Sequence, residues 1–160
     1  MSIFYPEKQK IYELKKAWYG ILGFYVKDNN GYILDFTGKI IKNMNIEELR
    51  NFCLSLRGAE EKLPFDNKTL VFSVKGKMFC ATDLEDFELI NVKCDPEEAI
   101  LLREKYDEVI PGYYMNKKLW NSVKTTGKIP TELMEKWIKN SYNLVVAGLP
   151  KKVQKELNEE

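Results

Sequence analysis

The sequence predicts an α+β domain built on an antiparallel sheet, with a short extension in front of it. Three observations carry that prediction. Apolar stripes at helical spacing begin behind the capping residues Asn45 and Asp95, and a third follows Pro130. Between them lie runs of β-branched and aromatic residues bounded by Gly, Pro, Asn and Asp. The resulting order is helix, three strands, helix, two strands, helix, which allows the helices to pack on one face of the sheet.

Residues 1–43 read as an aromatic-rich extension. Ile11, Leu14, Trp18, Ile21 and Leu22 fall at helical spacing behind Pro6 and predict a helix from about Glu7 to Tyr19. Gly23 to Phe36 reads as two short strands about Asp28-Asn29-Asn30-Gly31, with a longer helix through Val26 as the alternative. Such an extension would pack on the main domain or on a second subunit.

The main domain, residues 44–160, opens with a capping box of Asn45 and Glu48. Ile46, Leu49, Cys53 and Leu56 form the stripe of this first helix, and Gly58 ends it. Thr69 to Lys75 and Lys77 to Thr82 predict a tight hairpin across Gly76, and Phe87 to Lys93 a third strand. The acidic run Asp83-Leu84-Glu85-Asp86 lacks the glycine and the ligand spacing of a calcium loop and reads as a solvated turn. Asp95, Pro96 and Glu98 cap a second helix with the stripe Ala99, Leu102, Tyr106 and Val109, broken at Pro111-Gly112. Tyr113 to Met115 and Lys118 to Lys124 predict a hairpin about Asn116-Lys117. The third helix spans about Thr131 to Ala147, with Leu133, Trp137, Ser141, Leu144 and Val145 along one side and Met134, Ile138 and Tyr142 widening it. Gly148 and Pro150 stop it, and Lys151 to Leu157 adds a short amphipathic turn.

Composition excludes several classes. At 160 residues, 44% hydrophobic and 31% charged, the chain can build a core. No apolar run approaches the ~18 residues of a membrane span, and Met1 to Lys10 does not read as a secretory signal, so a cytoplasmic protein is expected. Cys53, Cys80 and Cys94 are odd in number and irregularly spaced, which points to reduced thiols and away from zinc or a disulfide framework. The chain has no histidine, which excludes Ser-His and Cys-His nucleophile pairs and lowers the expectation of an enzyme. No phosphate loop or dinucleotide motif occurs, and no cofactor is expected. The carboxylate pairs Glu60-Glu61 and Glu97-Glu98 read as helix-end residues.

A net charge of +1 hides a segregation along the chain. Gly58 to Ile110 carries seven lysines and arginines against thirteen acids, whereas Pro111 to Lys155 carries nine lysines against two acids. The basic third suits an anionic partner, and a solvated helix face accounts for it equally well. Within it, Pro111 to Asn121 combines adjacent lysines, two amide side chains and three large aromatics, the residue types that neutralise phosphates, read base edges and stack on bases. The candidate nucleic-acid-binding residues are therefore Lys117, Lys118, Trp120, Asn121 and Lys124, with the cluster Lys151, Lys152 and Lys155. Trp120 is explained equally by a core position.

Met44 to Leu157 resembles the MmcQ/YjbR family of small bacterial proteins. The matching stretches include Gly58-Ala59-Glu60-Glu61, Leu63-Pro64-Phe65, Gly76-Lys77-Met78-Phe79, Lys93-Cys94-Asp95-Pro96, Pro111-Gly112-Tyr113, Met115-Asn116-Lys117-Lys118 and Trp120-Asn121. The resemblance implies an α+β fold with a curved antiparallel sheet, likened to a double-wing DNA-binding motif and to secretion chaperones. It supplies no catalytic residue. The family usually has histidine where this chain has Tyr114 and Leu119, so an activity that needs those imidazoles would be absent or altered here. The expected function is nucleic-acid binding, with DNA as partner. The alternative is a protein-interaction or chaperone-like module. Either would act as a monomer or weak dimer, away from membranes.

Overall fold

A computed structural model describes residues 26–27, 32–34 and 40–159. The chain divides into two compact units, Met1–Asn43 and Met44–Glu160. In the first, strands β1 (Val26–Lys27), β2 (Tyr32–Leu34) and β3 (Ile40–Lys42) form an antiparallel sheet in that order. Val26 pairs with Leu34 and Ile33 with Ile41. Val26 thus lies in a strand rather than in a lengthened helix, and β3 is a strand the sequence did not suggest. The expected helix over residues 7–19 and the turn at 28–31 lie outside the described residues.

The second unit runs α1 (Ile46–Ser55), β4 (Ala59–Lys62), β5 (Thr69–Val74), β6 (Lys77–Asp83), β7 (Leu89–Lys93), α2 (Pro96–Lys105), β8 (Val109–Pro111), β9 (Trp120–Lys124), α3 (Thr131–Ala147) and α4 (Lys151–Glu159). Its six strands form one antiparallel sheet in the order β4-β5-β6-β7-β9-β8. The fold is the expected α+β arrangement. None of the described helices is long and apolar enough to cross a membrane.

Local chemistry sets the element ends. Asn45 Oδ1 accepts from the Glu48 amide at 2.9 Å, and Glu48 returns a carboxylate to the Asn45 amide at 3.1 Å, so the capping box forms. Asp95 Oδ1 accepts from the Glu97 amide at 3.0 Å with Pro96 at the first helical position. The β5–β6 turn places Lys75 (φ 46°) and Gly76 (φ 75°) in the left-handed region, as a two-residue hairpin turn requires.

Three expectations need correction. Glu60 and Glu61 lie in β4, an edge strand, not at a helix end. There Glu61 meets the Arg50 guanidinium of α1 at 2.5 and 2.9 Å, a partner that sequence spacing alone does not reveal. Helix α2 stops at Lys105, and Val109 reaches the core from β8. The β8–β9 connection is an eight-residue loop, 112–119, because β8 ends at Pro111 and Tyr113 to Met115 is not a strand.

Cross-strand register sorts the two sheet faces. Phe72 opposes Cys80, Cys80 opposes Val92, Ile90 opposes Val123, and Val123 opposes Val109, making one apolar face. The helices cover it. Ser141 Oγ of α3 donates to the Phe79 carbonyl at 2.5 Å and accepts from the Lys93 amide at 2.7 Å. The Tyr142 ring meets Phe79 edge-on at 5.4 Å. Leu49 and Cys53 of α1 and Ala99 of α2 complete this core. Thr69, Val71, Ala81, Asn91 and Ser122 point to the other face.

Candidate nucleic-acid interface and the sheet face beside it

Antiparallel pairing returns several lysines to one end of the sheet. Val74 pairs with Lys77 at the β5–β6 tip, Lys93 with Trp120, and Pro111 with Asn121. The β5–β6 turn and the 112–119 loop are therefore two tips at the same end, separated by the end of β7. The first carries Lys75 and Lys77, the second the exposed Lys117 and Lys118, and Lys93 lies between them. Sequence reasoning missed Lys75, Lys77 and Lys93. The signal was the Lys-Gly-Lys at a hairpin tip, which becomes a site only through register.

The other expected residues do not join this group. Asn121 is fully buried on the helix-covered face, where Oδ1 accepts from Arg103 Nε at 2.6 Å and Nδ2 donates to the Ala99 carbonyl at 3.2 Å. Trp120 is 9% exposed. Asn121 is held under the helices, whereas Trp120, on the same face of β9 as Ser122, is buried on the other side of the sheet close to Gly112, so neither reaches a base. Lys124 is exposed at the opposite end of β9, paired with Leu89. Lys151, Lys152 and Lys155 are exposed on α4, which is tied through Asn158 O to Arg57 Nη1 at 2.7 Å, just before edge strand β4. Loop 112–119 hangs from β8 and β9 at the other edge. Five strand spacings, roughly 24 Å, separate the two edges.

A residue that sequence reasoning did not single out holds the loop. Arg103 of α2 donates from Nη2 to the Trp120 carbonyl at 3.1 Å and to the Lys117 carbonyl, while its Nε engages Asn121. The Gly112 amide donates to the Trp120 carbonyl at 2.9 Å, and the Tyr113 amide to Ser122 Oγ at 2.8 Å. Gly112 is required by closeness: a Cβ there would lie 2.8 Å from the Trp120 Cβ and 2.9 Å from the Met115 Cβ. The clamp turns Tyr113 and Tyr114 outward, 55% and 91% exposed, with ring centroids 4.2 Å apart. Tyr114 has φ 57°, a strained conformation for a bulky side chain. It occupies one of the two positions where the family resemblance expects histidine; the other, Leu119, is half-buried.

Beside the loop, the sheet face that no described helix covers forms a cavity of about 560 Å³. Ala81, Leu89 and Asn91 line it from the strands, Tyr113, Tyr114 and Met115 from loop 112–119, and Phe65 and Asp66 from the β4–β5 loop. The β6–β7 loop adds Asp86 and Glu88. Asp66 accepts from the amides of Thr69 and Lys68 at 2.5 and 2.8 Å and from the Thr69 hydroxyl at 3.0 Å, which holds its carboxyl below the usual carboxylate range. Asp83 Oδ1 accepts from the amides of Glu85 and Asp86 at 2.8 and 2.9 Å, so the acidic run is an Asx-type turn. No group of three or more potential metal ligands gathers among the described residues. The three cysteines are buried as free thiols, and burial pushes Cys94 up to about 11.

The described residues define an α+β protein with one sheet face covered by helices, a cavity on the other and a lysine-bearing end. Within that class the chain belongs to the YjbR family, whose model matches residues 54–144. It is 38% identical over 112 residues to the Escherichia coli O157:H7 protein YbdF, covering 69% of this chain and 92% of that one. It is 30% identical over 115 residues to YjbR of Escherichia coli strain K12, covering 71% of this chain and 98% of the relative. Among solved structures it is similar to Deinococcus radiodurans protein DR2400, a DUF419 domain, with a TM-score of 0.68, 36% identity, and 71% and 88% of the two chains covered. A Pseudomonas syringae protein at 21% identity shares the fold, with a TM-score of 0.54 over 63% of this chain and 98% of that one.

Proposed function

We propose that this YjbR-family protein binds nucleic acid, duplex DNA first, through the two lysine-bearing tips at one end of its sheet, and that it is a binding protein rather than an enzyme. The observation that carries this reading is the convergence of Lys75 and Lys77 with Lys117 and Lys118. Two tips spaced across β7 suit a backbone contact, since lysines contribute phosphate neutralisation without base reading. With Trp120 and Asn121 buried, binding would be sequence-tolerant and salt-sensitive.

Four engaged lysines would give a slope of log affinity against log salt of roughly −3.6 on duplex DNA. Replacing Lys117 and Lys118 with alanine should reduce that slope by about 2 and weaken all sequences alike. The check is titration of labelled duplex at several salt concentrations. Undetectable binding at low salt, or a slope untouched by the double replacement, removes this surface.

A second reading, a protein partner seated on the helix layer, has its own observation. Leu101 of α2 is 63% exposed, and Leu144 of α3 is exposed on a shallow cleft shared with Glu98, Asn140, Asn143 and Ala147. A stable co-purifying polypeptide that is lost on Leu101→Lys would favour it.

A further inference from the structure

We propose that the cavity on the sheet face opposite α1–α3 binds a small organic cation with an apolar body, an alkyl- or arylammonium. Among the described residues four carboxylates line it, those of Asp66, Asp83, Asp86 and Glu88, and no lysine or arginine does. Asp66 and Asp83 spend oxygens on neighbouring amides, as described above. Asp86 and Glu88 are exposed and make no side-chain hydrogen bond or ion pair with another described residue, so their charge is left for a ligand.

The walls choose the rest of the ligand. Phe65, 72% exposed, reaches the cavity from one loop, and Tyr113 and Tyr114 from the other. Aromatic faces attract cations as well as apolar surface. Met78, Ala81 and Leu89 give an apolar floor between them. The left-handed backbone of Tyr114 leaves its ring almost wholly exposed at the cavity. The volume of about 560 Å³ lies within the range of small-molecule sites. The site shares loop 112–119 with one lysine-bearing tip, but its carboxylates repel phosphate, so it selects a ligand of opposite charge and its test does not depend on nucleic-acid binding.

The probes are three compounds of similar shape: phenethylammonium, neutral 2-phenylethanol and anionic 3-phenylpropionate. Calorimetric titration at low salt should rank the cation about tenfold above the alcohol, with no binding of the anion. Replacing Asp86→Asn together with Glu88→Gln should weaken the cation about tenfold and leave the alcohol unchanged. Tyr114→Gly, which suits the left-handed backbone, should weaken the cation about threefold while the thermal transition stays cooperative. Amide shifts on titration should centre on Ala81 and Asn91. Equal affinity for the three probes, no binding of the cation at millimolar concentration, shifts centred elsewhere, or a double variant with unchanged cation affinity would each overturn the assignment.

Discussion

At one end of the six-stranded sheet, loop 112–119 hangs on polar contacts made partly inside the protein. At the other, the β4–β5 and β6–β7 loops are shaped by carboxylates in water. The first end uses Arg103, the fully buried Asn121 and a glycine that admits no side chain. The second uses Asp66 and Asp83, each accepting from amides two or three residues on. The difference lies in what water can repair. A lost contact at the exposed end is replaced by solvent, whereas a lost partner in the interior leaves a polar group with nothing to bond. The lysine-bearing end is therefore the rigid one, and the acidic rim of the cavity is the one that solvent and pH reach.

Breaking the buried clamp should have the largest effect. Arg103→Ala removes the donor to Asn121 Oδ1 and to the Lys117 and Trp120 carbonyls in one step. The expected loss is about 2–3 kcal/mol, chiefly because Asn121 stays buried. A urea titration checks it, and an unchanged midpoint would mean that the clamp is not what holds the loop. Arg103→Lys should recover little, since a lysine cannot span the amide and the carbonyls with a planar fork.

Two glycines sharpen the comparison between closeness and conformation. Gly112→Ala places a methyl against Trp120 and Met115, and should cost about 1–2 kcal/mol while loosening the lysines beyond it. A methyl added at Gly76 would meet nothing within 4 Å, yet the φ of 75° there disfavours a side chain. Gly76→Ala should cost less, about 1 kcal/mol. Thermal unfolding of the pair ranks them, and the reverse order would contradict the packing around Gly112.

The lysine clusters test which parts of the basic third act together. If the tips form the interface, Lys75→Ala with Lys77→Ala should reduce the salt slope about as much as the change at Lys117 and Lys118, by up to about 2. Replacing Lys151, Lys152 and Lys155 should leave the slope within error, because α4 lies toward the opposite edge. A large change from α4 and none from the β5–β6 tip would move the interface.

Much of this architecture was legible in the sequence because its determinants are local. The cap at Asn45, the turn at Gly76, the start of α2 at Asp95 and the full span of α3 each rest on residues a few positions apart. What was not legible depends on pairing. Strand β4, Ala-Glu-Glu-Lys, has no strand propensity and exists because β5 offers it an edge. In α3 the buried side centres on Met134, Ile138, Ser141 and Val145, about a quarter of the way round the helix from the Leu144 expected on it, because β6 and β7 fix its rotation. The site suffered the same limit. Lys117 and Lys118 were visible, but Asn121 needed Arg103, eighteen residues earlier, to show that its amide was already spent.

The smallest expected effect lies at the acidic end and carries a pH signature. Asp66 accepts three hydrogen bonds that favour its charged form, so its folded pKa lies below its unfolded value of about 3.9. A depressed carboxylate contributes stability that is present above the unfolded pKa and disappears as pH falls through the folded one. Asp66→Asn keeps an oxygen acceptor for the Thr69 amide and removes the charge. Wild type should therefore be more stable than the variant at pH 6, and the gap should close as pH falls below the folded pKa. Because Asp66 is exposed and water competes for the same amides, the gap should be smaller than that of Arg103→Ala. Urea midpoints at pH 6 and at pH 3 or below measure it. A gap that stays constant with pH would show that Asp66 acts only through shape, and the contrast between a solvent-shaped rim and a buried clamp would then lose its electrostatic half.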